Sequence, residues 1–308
     1  MINKISFKKS LKKAFCVGIF FLLGVLSKDF IEKQISNLKE FHYENTHTRN
    51  LKVVNCPIDS ISIAIFGQSN SSNSVPREKP IDIPKNLYQF DWRSKSCLRF
   101  SEPLLGTVGY KGNAITHTAI NILREYDKPV VVIPFGIDGS SILDWSYGYL
   151  NKFYENILIQ IKSEGIYPDF FLWHQGESDS KRGLAKMSDF NKTPLFKLPP
   201  KKKLGLSEKV YSESLQMIFN KSQDYFPNSK FGIALVSICF GRGEWQPIRN
   251  AQYKIAMRNK NAFISSDSDQ IKGKNNRFDR CHFSSQGAEI LGNQYFQSIK
   301  QLLLENRR

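Results

Sequence analysis

The amino-acid sequence predicts a three-layer α/β/α sandwich with a central parallel sheet, and three observations carry that prediction. At 308 residues the chain can bury a full core. Its composition, 41% hydrophobic and 13% aromatic, is that of a folded globular protein and not of a disordered or repetitive one. From about residue 50 to 308, runs of β-branched and aromatic residues alternate with amphipathic stretches of helical period, the order of a parallel sheet covered on both faces.

Taken in order, "SISIAIF" (60–66) reads as the first strand and "NAITHTAINILREY" (113–126) as the first helix. "PVVVIPFG" (129–136) is a strand, and "GYLNKFYENILIQIKSEG" (148–165) a helix closed by a glycine. The strand "PDFFLWH" (168–174), the helix "SEKVYSESLQMIFNKSQDYF" (207–226) and the strand "KFGIALVSICF" (230–240) follow. The helix "IRNAQYKIAMRN" (248–259), the strand "NAFISSD" (261–267) and a terminal helix over 284–306 complete the series.

The N-terminus is a separate object. Five lysines without an acid precede thirteen apolar residues at 14–26, the pattern of a secretory signal and short for the ~20 residues of a spanning helix. Residues 1–27 therefore read as a signal peptide or an uncleaved signal anchor attached to a membrane, residues 28–49 as a linker, and 50–308 as an exported domain. Loss of 1–27 lowers the formal charge by five, from +16 to +11. That balance favours anionic partners such as an acidic glycan. Nucleic acid is disfavoured, because no zinc-finger spacing, recognition helix or aromatic RNA-binding signature is present. Much of the positive charge lies in a long insertion at 180–206, expected to form a basic rim or lid. Cys56, Cys97, Cys239 and Cys281 allow two disulfides in three connectivities or four free thiols, and their spacing suggests neither a redox motif nor a metal site.

Ligand sites in such sheets form beyond the carboxyl ends of the strands, where loops converge. Three polar blocks fall there. In "FGQSN", Gly67 lets the chain turn sharply and Ser69 stands where a nucleophile would stand. In "RFDRCHF", Asp279 and His282 lie three apart, a spacing that lets the carboxylate hold one imidazole nitrogen and leaves the other to take a serine proton. In "LWHQGESD", Gln175 and Glu177 break an apolar run at a third strand end. Trp145 and Trp245 are candidates for stacking on a sugar ring.

These blocks, in this order, resemble those of the SGNH/GDSL hydrolase superfamily, and more narrowly its sialate O-acetylesterase-like branch of carbohydrate esterases, which also includes acetylxylan esterases. "GYKGNAITHTAINIL", "VVVIPFGIDGSSILDW" and "IRNAQ" resemble further elements of that branch, so the resemblance spans roughly residues 60–297. It implies a flavodoxin-like sandwich and a serine esterase removing O-acetyl groups from a carbohydrate, with no cofactor and no metal. Ser69 is then the nucleophile, His282 the base and later the acid, and Asp279 the group that orients it. The oxyanion hole would be the Ser69 amide, the Gly112 amide and the Gln175 side chain, with Gly109 or Asn113 as alternatives to Gly112. Glu177 would tie its block together as a buried acceptor. An O-acyltransferase using the same triad and a catalytically weak glycan-binding protein are the rival readings.

Overall fold

The computed structural model describes residues 51–77, 80–180, 205–239 and 243–305, together with Glu32, Lys33 and Ile35. The expected signal segment at 1–27 and residues 181–204 of the basic insertion lie outside the described residues.

Among the described residues, eight strands form one sheet: β1 (Val53–Val54), β2 (Ile61–Gly67), β3 (Leu87–Asp91), β4 (Ser96–Arg99), β5 (Val130–Gly136), β6 (Phe170–His174), β7 (Lys230–Leu235) and β8 (Ala262–Asp267). Their spatial order is β1-β4-β3-β5-β2-β6-β7-β8. From β3 to β8 in that order every pairing is parallel, whereas β4 runs antiparallel to β3 and to β1. The α/β sandwich is thus the expected one, with an antiparallel edge that the sequence reading left out. The reversal comes from a tight turn in which the Asp91 carboxylate accepts from the amide and hydroxyl of Ser94, at 3.1 and 2.7 Å. A disulfide from Cys56 to Cys97 fastens the preceding chain to β4.

Among the described residues, the sheet is covered by the helices α1 (Ile115–Tyr126), α2 (Ile142–Ser146), α3 (Tyr149–Ser163), α4 (Glu208–Tyr225), α5 (Gln246–Arg258) and α6 (Ser285–Glu305). Side chains alternate across the central strands, so there are two cores. Ile61, Ile63 and Ile65 of β2 pack with Ile115 and Ile122 of α1 and with Leu291 and Tyr295 of α6. Ala64 and Phe66 face the other way, toward Tyr154 of α3, Leu215 of α4 and Ile255 of α5. Each such side chain contributes about 1.5–3 kcal/mol on burial. A one-residue slip of β2 would exchange the two sets, which fixes its register against β5 and β6.

β7 stops at Leu235, short of the run to residue 240 that the apolar pattern predicts. Beyond it, the amide of Val236 donates to the Gln252 side chain at 2.9 Å, and those of Ser237 and Ile238 to the Asp269 carboxylate at 3.0 and 2.9 Å. Side chains take the amides that a longer ladder would have used. β2 lies between β5 and β6, and the chain crosses from one side of it to the other between those strands. That reversal of strand order opens a crevice at the carboxyl end of β2.

Candidate active site

β2 is buried throughout and ends at Gly67, whose backbone lies at φ 145°. A Cβ there would run into the His174 carbonyl, so only glycine lets β2 and β6 stay paired to their last residues. A short 3-10 turn, Ser69–Ser71, follows at once. It is set by the Gln68 amide on the His174 carbonyl at 3.1 Å, and by the Ser71 amide and hydroxyl on the Gln68 carbonyl at 2.8 and 2.7 Å. Ser69 is therefore presented on a fixed turn at the middle of the sheet.

The structure brings Asp279 and His282 to it from 210 and 213 positions further along the chain. The hydroxyl of Ser69 lies 2.9 Å from Nε2 of His282, and Nδ1 of His282 lies 2.6 Å from Oδ2 of Asp279. Oδ1 of Asp279 accepts from the amides of Cys281 and His282 at 2.9 and 2.7 Å, so the carboxylate shapes its own turn. Burial pushes the Asp279 carboxyl up, but these hydrogen bonds outweigh it and hold the group below the ordinary carboxylate range. The His282 and Asp279 side chains keep 23% and 34% of their exposure, which leaves the pair open to a ligand.

Three further supports hold this turn. A disulfide joins Cys281 to Cys239 after β7. Arg277 is buried, and its guanidinium donates to the carbonyls of Ile271 (2.8 Å), Ser268 (2.7 Å) and Cys281. The ring of Phe278 stacks on the His282 imidazole with centroids 6.0 Å apart, and is itself 45% exposed. Sequence reasoning missed Arg277 and Phe278, although both stand inside the quoted "RFDRCHF". An arginine and a phenylalanine in a surface-like turn carry no pattern that foretells burial or stacking.

The third block occupies a different position. Gln175 is fully buried, and its amide nitrogen donates to Oδ2 of Asp179 (2.7 Å), to the Ser140 carbonyl (3.1 Å) and to Oε1 of Gln68 (3.3 Å). The expected oxyanion role of its side chain is therefore not met, because the amide hydrogens are committed inside the protein. Gly112 departs likewise: its amide donates to the Val75 carbonyl at 2.8 Å in a two-residue bridge. Of the alternatives, Asn113 donates its backbone amide to the Glu102 carboxylate at 2.8 Å and its side chain to the Ser71 carbonyl at 3.0 Å. What remains at Ser69 are the amides of Ser69 and Asn70, the first of their turn and without partners inside it.

Glu177 is buried and accepts from the Asn70 side chain at 2.7 Å, with Nε2 of His174 3.4 Å away. Burial raises its carboxyl, yet His174 and Asn70 outweigh that and leave it below the usual range. His174 also bonds the Tyr295 hydroxyl. Asp179 behaves oppositely, its carboxyl pushed up by burial despite accepting from the Ile142 amide at 2.7 Å and from Ser141 and Gln175. Of the two tryptophans named for sugar stacking, one is enclosed and the other keeps partial exposure. Trp145 is wholly buried, and Trp245 packs against the core with its indole N–H on the Leu206 carbonyl at 3.3 Å. Among the described residues, no three His, Cys, Asp or Glu side chains are arranged to hold a metal ion.

No protein-family model and no curated protein sequence matches the chain. Its fold is that of several solved structures. One from Arabidopsis thaliana aligns with TM-score 0.57 and 14% identity over 78% of this chain and 97% of its own. A putative GDSL-like lipase from Parabacteroides merdae aligns at 0.50 and 11%, over 79% of this chain and 98% of its own. A carbohydrate acetylesterase from Xanthomonas citri aligns at 0.51 and 12%, over 77% of this chain but 54% of its own.

Proposed function

We propose that the protein is a serine esterase that removes O-acetyl groups from a carbohydrate. The observation that carries this reading is the connected row Ser69 Oγ, His282 Nε2, His282 Nδ1 and Asp279 Oδ2, with contacts of 2.9 and 2.6 Å. A serine hydroxyl is a poor nucleophile until a base takes its proton, and an imidazole serves only if a second group fixes its tautomer and orientation. Here Asp279 does so. Ser69 attacks the ester carbonyl while His282 takes its proton, and the Ser69 and Asn70 amides receive the negative oxygen. His282 then returns the proton to the departing sugar oxygen. Water deprotonated by His282 next cleaves the acetyl-serine, releasing acetate and restoring Ser69.

Carbohydrate as substrate is supported by the motif resemblance and by the likeness of fold to a carbohydrate acetylesterase. Sialic acid-like sugars and xylan are the first glycans to try, and the +11 charge of residues 28–308 favours an acidic polymer. Two disulfides fit an oxidising, exported setting. The test is acetate release by the purified protein from an aryl acetate, O-acetylated sialic acid and acetylated xylan, beside a folded Ser69→Ala variant. Release that disappears in the variant is expected. A folded parent that releases none, or a variant that matches the parent, would sink the esterase reading.

A further inference from the structure

An open cavity of about 500 Å³ lies where the segment that follows the Ser69 turn meets residues 101–103 and 110–112. Its volume falls within the range of small-molecule sites. The two segments are fastened to each other: Val75 and Gly112 exchange both amide–carbonyl bonds, at 2.9 and 2.8 Å, and the Lys111 amide donates to the Asn73 carbonyl at 3.2 Å. Ile81 and Ile83, packed against the core, give the cavity an apolar lining. Tyr110, 68% exposed, and Lys111, also exposed, line it on the side of solvent.

Most of the charge that lines this cavity is already paired. Arg77 holds the Glu102 carboxylate through Nε and Nη2, both at 2.9 Å, and Nη2 also reaches the Asn113 carbonyl at 3.0 Å. Glu102 further accepts from the Asn113 amide at 2.8 Å and from the Thr116 hydroxyl. His117 lies 3.2 Å from Nη1 of Arg77; burial and, after it, the Arg77 charge hold its pKa below the ordinary value, so it adds no cation. Lys111 is the exception. Its Nζ lies over the Phe278 ring, 4.8 Å from the centroid, and among the described residues no carboxylate or carbonyl receives it. A ring face attracts an ammonium without neutralising it, so the described residues leave the cavity one uncompensated positive charge.

The same ring ties the cavity to the reacting groups. Phe278 stacks on the His282 imidazole with centroids 6.0 Å apart, so His282, Phe278 and Lys111 form a continuous row from the Ser69 contact to the cavity. In the proposed reaction His282 returns its proton to the departing sugar oxygen, which puts the sugar on the imidazole's side of Ser69 and the acetyl methyl away from it. A polymer whose acetylated unit sits at Ser69 can therefore lay the next unit past Phe278 and into the cavity.

We propose that this cavity is the subsite for a carboxylated glycosyl unit next to the acetylated one, with Lys111 pairing its carboxylate and Tyr110 covering a face of its ring. The proposal rests on the esterase reading above. It narrows the substrate from any acidic polymer to one whose acid stands on the neighbouring sugar. A lysine on a flexible stem, with three rotatable donors, suits a carboxylate that arrives from water, and a tyrosine offers an apolar face with a polar tip. An exposed ion pair adds little to the stability of a fold, but here it separates two substrates that differ only in charge.

The experiment uses the full chain with acetylated polygalacturonate and acetylated alginate, each beside its methyl-esterified form of matched acetyl content, and reads acetate release. On at least one polymer the parent should favour the acid form by roughly tenfold in kcat/KM, the scale of one hydrogen bond to a charged group. Lys111→Gln should reduce that preference to below about twofold, and Lys111→Arg, which keeps the charge, should retain most of it. Tyr110→Ala should raise KM for the acid form about fivefold. A parent indifferent to the carboxylate overturns the proposal. So does a Lys111→Gln enzyme that keeps the parent's preference, or one that slows both forms equally, which would mean that Lys111 acts only by propping Phe278 against His282. An unchanged KM in Tyr110→Ala takes the sugar out of the cavity and overturns it too. Loss of the esterase reading shows separately, as 4-nitrophenyl acetate turnover that is absent from the parent or survives Ser69→Ala. Binding of the deacetylated acid polymers, weakened about tenfold by Lys111→Gln, then still decides the subsite.

Discussion

The turn carrying Asp279 and His282 and the block from Gln175 to Asp179 look alike as sequence, each a polar cluster with a carboxylate near a histidine. In the structure they are opposites. The first keeps part of its surface open and aims its imidazole at Ser69. The second is buried, with its amide and carboxyl groups turned on one another and on the turn that carries Ser69. Gln68 and Asn70 are the joints: Oε1 of Gln68 accepts from the Ser178 amide at 3.1 Å, and Asn70 reaches Glu177. One cluster is the one we propose for the chemistry, and the other holds the floor beneath it. Residue type does not separate them, but burial does.

The sharpest way to break that contrast is His282→Ala. It should lower kcat on an aryl acetate by roughly 10⁴-fold or more while the melting temperature barely moves. A loss below tenfold would deny the turn its chemical role. Next is the paired change Cys239→Ser with Cys281→Ser, which removes the tether 42 residues long in sequence. It should cost about 2–4 kcal/mol by urea titration. It should also reduce kcat about tenfold, since His282 loses part of its placement. Unchanged turnover would mean that Arg277 and Phe278 suffice to hold the turn.

Glu177→Ala comes third, with a loss of about 1–3 kcal/mol because the buried Asn70 amide is left without its acceptor. If instead turnover collapsed with no change in stability, the block would belong to the chemistry and the comparison would fail. The smallest effect is on pH. Because the folded Glu177 carboxyl lies below its ordinary value, its contribution is complete above an unfolded pKa of about 4.3 and is lost as pH falls through the folded value. Asp179, pushed up by burial, works the other way and is relieved by acid. Unfolding by urea at pH 6 and near pH 4 should therefore show a smaller acid loss in Glu177→Gln than in the parent, and equal losses would remove Glu177 as the cause.

Much of the fold was legible because β2, β5 and β6 are continuous apolar runs and the helices carry a clear period. The antiparallel edge was not, since β1 and β4 span two and four residues and offer no periodicity to read. The meeting of Ser69, Asp279 and His282 could be expected from strand-end position and spacing. The commitments of Gln175 and Gly112 could not, because an amide looks equally available in a sequence whether it faces a ligand or a neighbouring carbonyl.

The contact between Ser69 and His282 spans 213 positions, and this gives the site a birthday. A chain still being synthesised, or still being threaded through a membrane from its N-terminus, holds its serine long before it holds a base. Six strands and most of the helices stand between the two in time. Asp279, His282 and Ser69 assemble only when the last turn closes onto the first strand of the parallel core, and Cys281 can meet Cys239 only at about that same moment. Fragments and interrupted chains would thus be inert, however well their cores had formed. Under the proposed reading, topology alone would spare the producing cell an enzyme that acts before it is finished.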